Sequence, residues 1–242
     1  MRQNALAVDE TRVVKGWRLE TTVDMVLRAQ GADPHKIRAR NPRLVQTAER
    51  ALDQGMPLIV PQLAFRRLPV CFVRNESVGL ESGGELRGPA VADFLATAES
   101  VVLAVITLGE QLERRVAEIT RRDLLLGMAL DGFGTAALDE LTVAAQRHFA
   151  DLAADEGLRA TIPLHPGMRA WELQQGQEQI FRLLDAFSIG VVLGPAFLMR
   201  PQKSMSMVVG LGRNVKVNGS SCDLCTSADT CRHKPSSAVV SS

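Results

Sequence analysis

Eight consecutive residues, Ser100–Thr107 (SVVLAVIT), constrain this chain more than any other stretch. A run this short, wholly apolar and rich in β-branched side chains fits a central strand. Other short apolar or β-branched runs at 57–65, 68–74 and 77–80 are bounded by Asn75 and Ser82-Gly83-Gly84 and read as strands of an antiparallel sheet. Two more strands are expected at 190–199 and 205–211. Helical spacing of apolar residues appears between them, at 21–30, 42–54, 90–97, 109–120 and 172–187, and over a long stretch capped by Asp123 that reaches about residue 154. Gly31 and Asp33-Pro34 are expected to stop the first helix. The sum is an α+β fold, a mainly antiparallel twisted sheet with helices packed around it. Residues 1–16 read as a flexible N-terminal arm, 17–213 as the α+β domain, 214–234 as a Cys-rich segment and 235–242 as a disordered tail.

Composition narrows the function classes. The chain has 242 residues, 46% hydrophobic, enough for a sizeable core. Its 28 Lys+Arg against 27 Asp+Glu leave a net charge of +1, which gives no electrostatic reason to bind nucleic acid or an anionic membrane. Aromatics are 4% and Tyr is absent, so stacking on bases is not expected. No run approaches the roughly 18–20 apolar residues of a membrane span, and residues 1–16 lack the apolar centre of a signal peptide. A cytoplasmic globular protein is expected.

Four stretches carry candidate chemistry. In 124–141 (LLLGMALDGFGTAALDEL), Gly127, Gly132 and Gly134 interrupt a helical pattern, each costing about 1 kcal/mol relative to Ala. Close approach by a neighbouring element would offset that cost. Asp131 and Asp139 share roughly one face of this helix, either as two solvated acids or with a ligand-facing acid among them. In 162–171 (IPLHPGMRAW), Pro166-Gly167 is a turn signal flanked by His165 and Arg169, a loop suited to a small anionic group. Trp171 equally suits a plug in the core beneath it. In 198–212, Arg200, Lys203, Ser204 and Ser206 precede a strand, and alternation puts the two serines on one face and Met205 and Met207 on the other. The glycines of VVGLGRN lack the third glycine, the following helix and the acidic residue of a dinucleotide site.

The fourth stretch is Cys222-x-x-Cys225-x5-Cys231-Arg232-His233. Clustered cysteines in a chain without a signal peptide favour metal binding or redox chemistry over a disulfide framework. Three thiolates nearly complete a tetrahedral zinc site or three corners of an iron–sulfur cluster. His233, Cys71 or an exogenous group would supply the fourth ligand.

Taken in order, these segments resemble the activation domain of cobalamin-dependent methionine synthase, and most of all its free-standing relatives from anaerobic bacteria. AESVVLAVITLGEQLE (98–113) resembles that family's strand–TxG–helix. LDGFGTAALDEL (130–141) is similar to its helix with a small-residue stretch ending in an acid, here Asp139. Residues 165–212 follow its PGY loop, Gln-bearing helix and P-x-x-S-x-S strand, and free-standing members often end in a C-x-x-C…C tail.

The resemblance implies an accessory role in corrinoid-dependent methyl transfer. Activation domains of this kind bind S-adenosylmethionine and dock over a cobalamin domain. They remethylate the oxidised cofactor while an external donor supplies one electron. This chain has no D-x-H-x-x-G cobalamin signature, so the cobalamin would be carried by a partner corrinoid protein or cobalamin-dependent methyltransferase. Asp139, His165, Gly167, Arg169, Lys203, Ser204 and Ser206 are the candidate ligand-binding residues; Cys222, Cys225, Cys231 and His233 are the candidate metal ligands. The sequence departs from the family at Pro163, where an Arg holds the ligand's carboxylate, and at Met168, where the loop has Tyr. Arg169 is the candidate substitute. The contrasting expectation is a redox protein whose C-terminal metal or iron–sulfur centre transfers electrons.

Overall fold

The computed structural model describes residues 10–169 and 171–217. In chain order the elements are β1 (Arg12–Lys15), α1 (Val23–Ala29), α2 (Pro34–Arg40), α3 (Pro42–Gly55), β2 (Gln62–Arg74), β3 (Ser77–Leu80), β4 (Glu85–Arg87), α4 (Pro89–Phe94) and β5 (Ser100–Thr107). There follow α5 (Gln111–Thr120), α6 (Leu124–Asp155), β6 (Arg159–Ala160), α7 (Leu173–Leu183), β7 (Val192–Leu193), β8 (Met199–Arg200) and β9 (Ser204–Gly212). A seven-stranded sheet runs β4-β3-β2-β5-β9-β6, with β1 also paired to β2, and a separate ribbon joins β7 to β8. Every strand pairing among the described residues is antiparallel. The fold is α+β, an antiparallel sheet flanked by helices. No helix among the described residues is long and apolar enough to cross a membrane.

All eight residues of β5 are buried, because β2 and β9 pair with it along its whole length and helices cover both faces. Val102, Ala104 and Ile106 join a core built with α1, α3, α5 and α6, where Phe133 and Phe149 sit. Val101, Leu103 and Val105 join a second core that contains Leu164, Trp171 and Ile180. The period-2 alternation of one strand thus feeds two cores.

The helices start where capping chemistry starts them. Asp123 accepts the Leu126 N–H at 3.0 Å and opens the 32-residue α6. Its glycines are the contact seam. A Cβ on Gly127 would lie 2.8 Å from the Thr120 Cα at the end of α5. One on Gly132 would meet Gln30, just past α1, and one on Gly134 would meet Leu112 of α5.

Several elements depart from the sequence expectation, each for a local reason. Asp33-Pro34 does not only stop α1: Asp33 accepts the His35 N–H at 3.0 Å, and Pro34 occupies the first turn of α2. Residues 12–15, expected within a loose arm, pair with β2. The runs 57–65 and 68–74 are joined in one 13-residue β2, because the intervening arginines find partners. Arg66 donates to the Leu183 carbonyl at 2.7 Å, and Arg67 binds Ser100 at 2.8 Å and the Glu156 carboxylate at 2.8 Å. The strand expected at 190–199 is broken into the β7–β8 ribbon by a 3-10 turn, Pro195–Phe197, in which Ala196 and Phe197 both have positive φ.

Candidate functional site

One end of the sheet gathers three of the loops singled out above. β5 ends at Thr107, and Gly109, at φ +80°, turns the chain towards α5. The Thr107 hydroxyl accepts the Gly109 N–H at 3.1 Å and the Ser204 hydroxyl at 2.8 Å. The Leu108 N–H donates to the Lys203 carbonyl at 3.0 Å, which locks this turn to the start of β9.

The segment after β6 runs along the free edge of β9. The Thr161 N–H donates to the Gly210 carbonyl, and Leu164 and Val208 exchange both backbone hydrogen bonds at 2.9 Å. His165 is the last residue held this way: its Nδ1 meets the Ser206 carbonyl at 2.9 Å. Beyond it the chain turns through Pro166 and Gly167, whose φ of +91° favours glycine. The turn is closed by Met168 N–H to the His165 carbonyl, Gly167 N–H to the Trp171 carbonyl, and the Met168 sulfur accepting the His165 N–H at 3.3 Å.

Trp171 is 2% exposed and fills the second core beneath this loop, the plug reading of that residue. Helix α7 packs against it where Gly176 stands; a Cβ there would lie 2.8 Å from both Pro166 Cβ and Trp171 Cε2. That close approach brings the buried Gln177 within 3.0 Å of the Ser206 hydroxyl, which donates to its Oε1.

The candidate ligand residues fall into three groups. His165, Gly167, Ser204 and Ser206 come together on the α7 side of the sheet. Both serine hydroxyls are buried and donate to protein partners, so they fasten β9 to β5 and α7. Lys203, one residue out of phase, points to the other face. Its Nζ lies 2.8 Å from Asp131 Oδ1 and donates to the Thr135 hydroxyl at 3.0 Å, and its stem crosses α6 at Gly134. Asp139 is also on the α6 side, exposed in a groove of about 450 Å³ with Arg18, Glu20, Met25 and Arg147. Arg169 lies exposed on the loop after Met168. Cys222, Cys225, Cys231 and His233 lie outside the described residues; among the described ones, no group of three His, Cys, Asp or Glu is placed to hold a metal.

Thr107 and Gln177 complete the cluster. Thr107 is signalled by the T-x-G after the apolar strand. Gln177 is a polar residue on the buried side of α7, which no spacing rule separates from a solvated glutamine.

Burial holds the His165 imidazole below its ordinary value of 6.5, against an upward pull from its hydrogen bond to Ser206. The ring is neutral at pH 7, with its proton on Nδ1 facing the carbonyl and Nε2 left as an acceptor. The unfolded chain takes up this proton near pH 6.5 and the folded chain resists it, so acidification through that range favours unfolding. His148, ringed by Trp17, Phe65 and Phe149, is lowered by burial in the same sense. Thermal melts are expected to hold steady above pH 7 and to fall as the pH drops below 6.5. His165→Gln should flatten part of that fall; an unchanged slope would exclude His165 as its source.

No protein-family model matches the sequence, and no curated protein matches it at a significant level. Among solved structures, the fold is similar to the MetH reactivation domain bound to AdoHcy. The TM-score is 0.58 at 13% identity, over 89% of this chain and 82% of that one. The chain therefore has the fold of a methionine synthase reactivation domain.

Proposed function

We propose that this chain is an accessory protein of corrinoid-dependent methyl transfer. It docks with a partner corrinoid protein or cobalamin-dependent methyltransferase and supports reductive reactivation of the partner's cofactor. The observation that carries this reading is the likeness over 89% of the chain to a reactivation domain with AdoHcy bound. The ordered Pro166-Gly167 loop on β9 supports it as well, since this is the segment that resembles the family's ligand loop.

S-adenosylmethionine, when bound, supplies a methyl group and leaves as S-adenosylhomocysteine. On this chain the residues suited to hold such a ligand are the exposed ones of the loop. Gly167 offers backbone without a side chain in the way, and Arg169 offers a guanidinium for the ligand's carboxylate. Pro163, at the family's arginine position, is buried and has no cationic group to give. Calorimetry with S-adenosylmethionine and S-adenosylhomocysteine tests this directly. Binding is expected for both, and Arg169→Ala should weaken it by about tenfold or more, the loss of one charged hydrogen bond. Absence of heat at millimolar ligand would remove the ligand and leave the docking role, which co-elution with a purified corrinoid protein tests separately.

A further inference from the structure

Residues 12–21 lie along α6 as a strap. β1 pairs with the edge of β2 from Arg12↔Phe65 to Lys15↔Gln62, and Gly16, at φ +80°, ends the strand. The rest of the strap is held to α6 at Glu140 and at His148. The Glu20 N–H and the Thr21 hydroxyl both donate to the Glu140 carboxylate, the hydroxyl at 2.7 Å. About two turns further along α6, the Trp17 indole meets the His148 imidazole edge to face, with ring centroids 5.7 Å apart. The Trp17 Nε1–H is used within the strap, on the Val14 carbonyl at 3.3 Å. Between Glu140 and His148 the strap stands off the helix and leaves the groove of about 450 Å³ that Arg18, Leu19 and Glu20 share with Val143 and Arg147. An element held so sparsely parts from the fold before the core does.

His148 is the anchor whose charge changes near neutral pH. Phe65 and Phe149 close two further sides of its ring, at 6.1 and 5.8 Å, and both are buried in the first core. Charged groups approach from each element around it. On α6, Arg147 precedes it, and Asp151, one turn on, attracts a proton to the ring. On the strap, Lys15 and Arg18 stand on either side of Trp17, and Arg12 is paired across the ladder with Phe65. On β2, Arg67 is engaged with Glu156 at 2.8 Å. Burial outweighs the pull of Asp151 and keeps the ring neutral at pH 7. An imidazolium at this place needs water. Phe65 and Phe149 belong to the core and cannot withdraw; Trp17 belongs to the strap and can.

We propose that residues 12–21 are an acid-released strap, in which protonation of His148 lifts Trp17 and β1 away from α6 and the edge of β2. One proton passes from solvent to the neutral imidazole, and no covalent bond changes. Release uncovers Val14, Trp17 and Leu19, which pack on the first core, and frees the edge of β2 at 62–65. With the strap open, His148 takes up its proton around the ordinary value of 6.5; with the strap closed, only at lower pH. Closure is therefore at full strength above that value and weakens as the pH falls through it. Between pH 7.5 and 5.5 the opening equilibrium rises by at most about tenfold, the limit for one histidine that is protonated only when open. The device does not depend on the corrinoid reading.

Hydrogen exchange of the full-length chain, followed by NMR at pH 7.5 and 5.5, reads the opening directly. After correction for the intrinsic exchange rate, the β1 amides should lose several-fold in protection at the lower pH, with about tenfold as the ceiling. They should also be less protected than those of β5, since the strap opens without the core. His148→Phe keeps a ring against Trp17 that takes no proton, and it should abolish the loss. Wild-type protection of β5 in that variant at pH 7.5 would show that it is folded. His165→Gln should leave the loss in place. A second measurement needs no substitution: in the wild-type protein the Trp17 indole N–H resonance should titrate together with the His148 ring. A rise in β1 protection at pH 5.5 would mean that the charged ring binds the indole instead, and would overturn the proposal. Unchanged β1 protection, protection equal to that of β5, an undiminished loss in His148→Phe, or a Trp17 resonance blind to the His148 titration would each overturn it too.

Discussion

Trp171→Ala is expected to lower the stability of the protein by about 3–5 kcal/mol, the range for deleting a large buried aromatic side chain. The indole is 2% exposed and packs against Gly176 of α7 beneath the Pro166-Gly167 turn. Its surroundings cannot collapse easily into the space. Leu164 is tied to β9 by two backbone hydrogen bonds, and α7 is tied to β9 through Gln177 and Ser206. The indole Nε1 has no hydrogen-bond partner among the described residues. Burying that N–H costs free energy, so Trp171→Phe removes an unsatisfied donor together with some packing. It should therefore cost far less than Trp171→Ala. Urea denaturation of the three proteins measures both differences. Equal losses for Phe and Ala would mean that shape at this position matters and the orphaned donor does not. A small loss for Ala would mean that the loop does not rest on the indole.

Much of the fold was legible wherever one local rule acted alone. Ser100–Thr107 is a strand with the bounds expected from its apolar run, since nothing polar interrupts it and both neighbours pair along it. Asp123 opens α6 because its carboxylate reaches an N–H of the first turn, a relation fixed by sequence spacing. The failures came where partners distant in sequence decide. Arg66-Arg67 looks like a break in an apolar strand. It is continuous because Leu183, Ser100 and Glu156, at least 33 positions away, satisfy the two guanidinium groups. Residues 190–199 look like a strand because their apolar content is high, but Gly194-Pro195 and two positive-φ residues turn them into a ribbon.

The candidate cluster was legible by the same division. Alternation predicted that Ser204 and Ser206 share a face, and they do. The same alternation separates Lys203 from them, although it adjoins Ser204 in the chain and shares their stretch. Its partners, Asp131 and Thr135, sit on a helix about 70 residues earlier and on the opposite side of the sheet. Asp139 was joined to the loop through motif order, which carries no information on which face of a sheet a helix covers. Gln177 was missed as a specific residue because a buried glutamine is recognised only by its partner, and the partner is Ser206.

The seam of α6 offers the second large effect, and it separates two kinds of close approach. Gly127 faces the end of α5, where an added Cβ would lie 2.8 Å from the Thr120 Cα. That atom is backbone, fixed by a helix end whose Thr120 hydroxyl is already bonded to the Val116 carbonyl at 2.7 Å. Gly134 faces the Leu112 Cδ2 at 2.8 Å and the Lys203 Cε at 2.9 Å, the ends of two side chains that can swing. Replacing a helical glycine by alanine gains about 1 kcal/mol of intrinsic helix propensity, which works in favour of both substitutions. At Gly134 the side chains yield and the gain offsets the contact, so Gly134→Ala should leave the denaturation midpoint nearly unchanged. At Gly127 the backbone does not yield, and Gly127→Ala should destabilise despite the gain. Gly127→Leu adds three further carbons at the same contact and is expected to lose about 3 kcal/mol, the upper end of overpacking. Gly134→Leu, whose branched end must displace both Leu112 and Lys203, should lose less than Gly127→Leu and also break the Lys203–Asp131 ion pair. That pair joins an exposed carboxylate to a mostly buried ammonium, and salt should change the Gly134→Leu deficit only slightly. If Gly127→Ala is as stable as the wild type, α5 does not press on α6 at this glycine, and the seam rests on Gly132 and Gly134 alone.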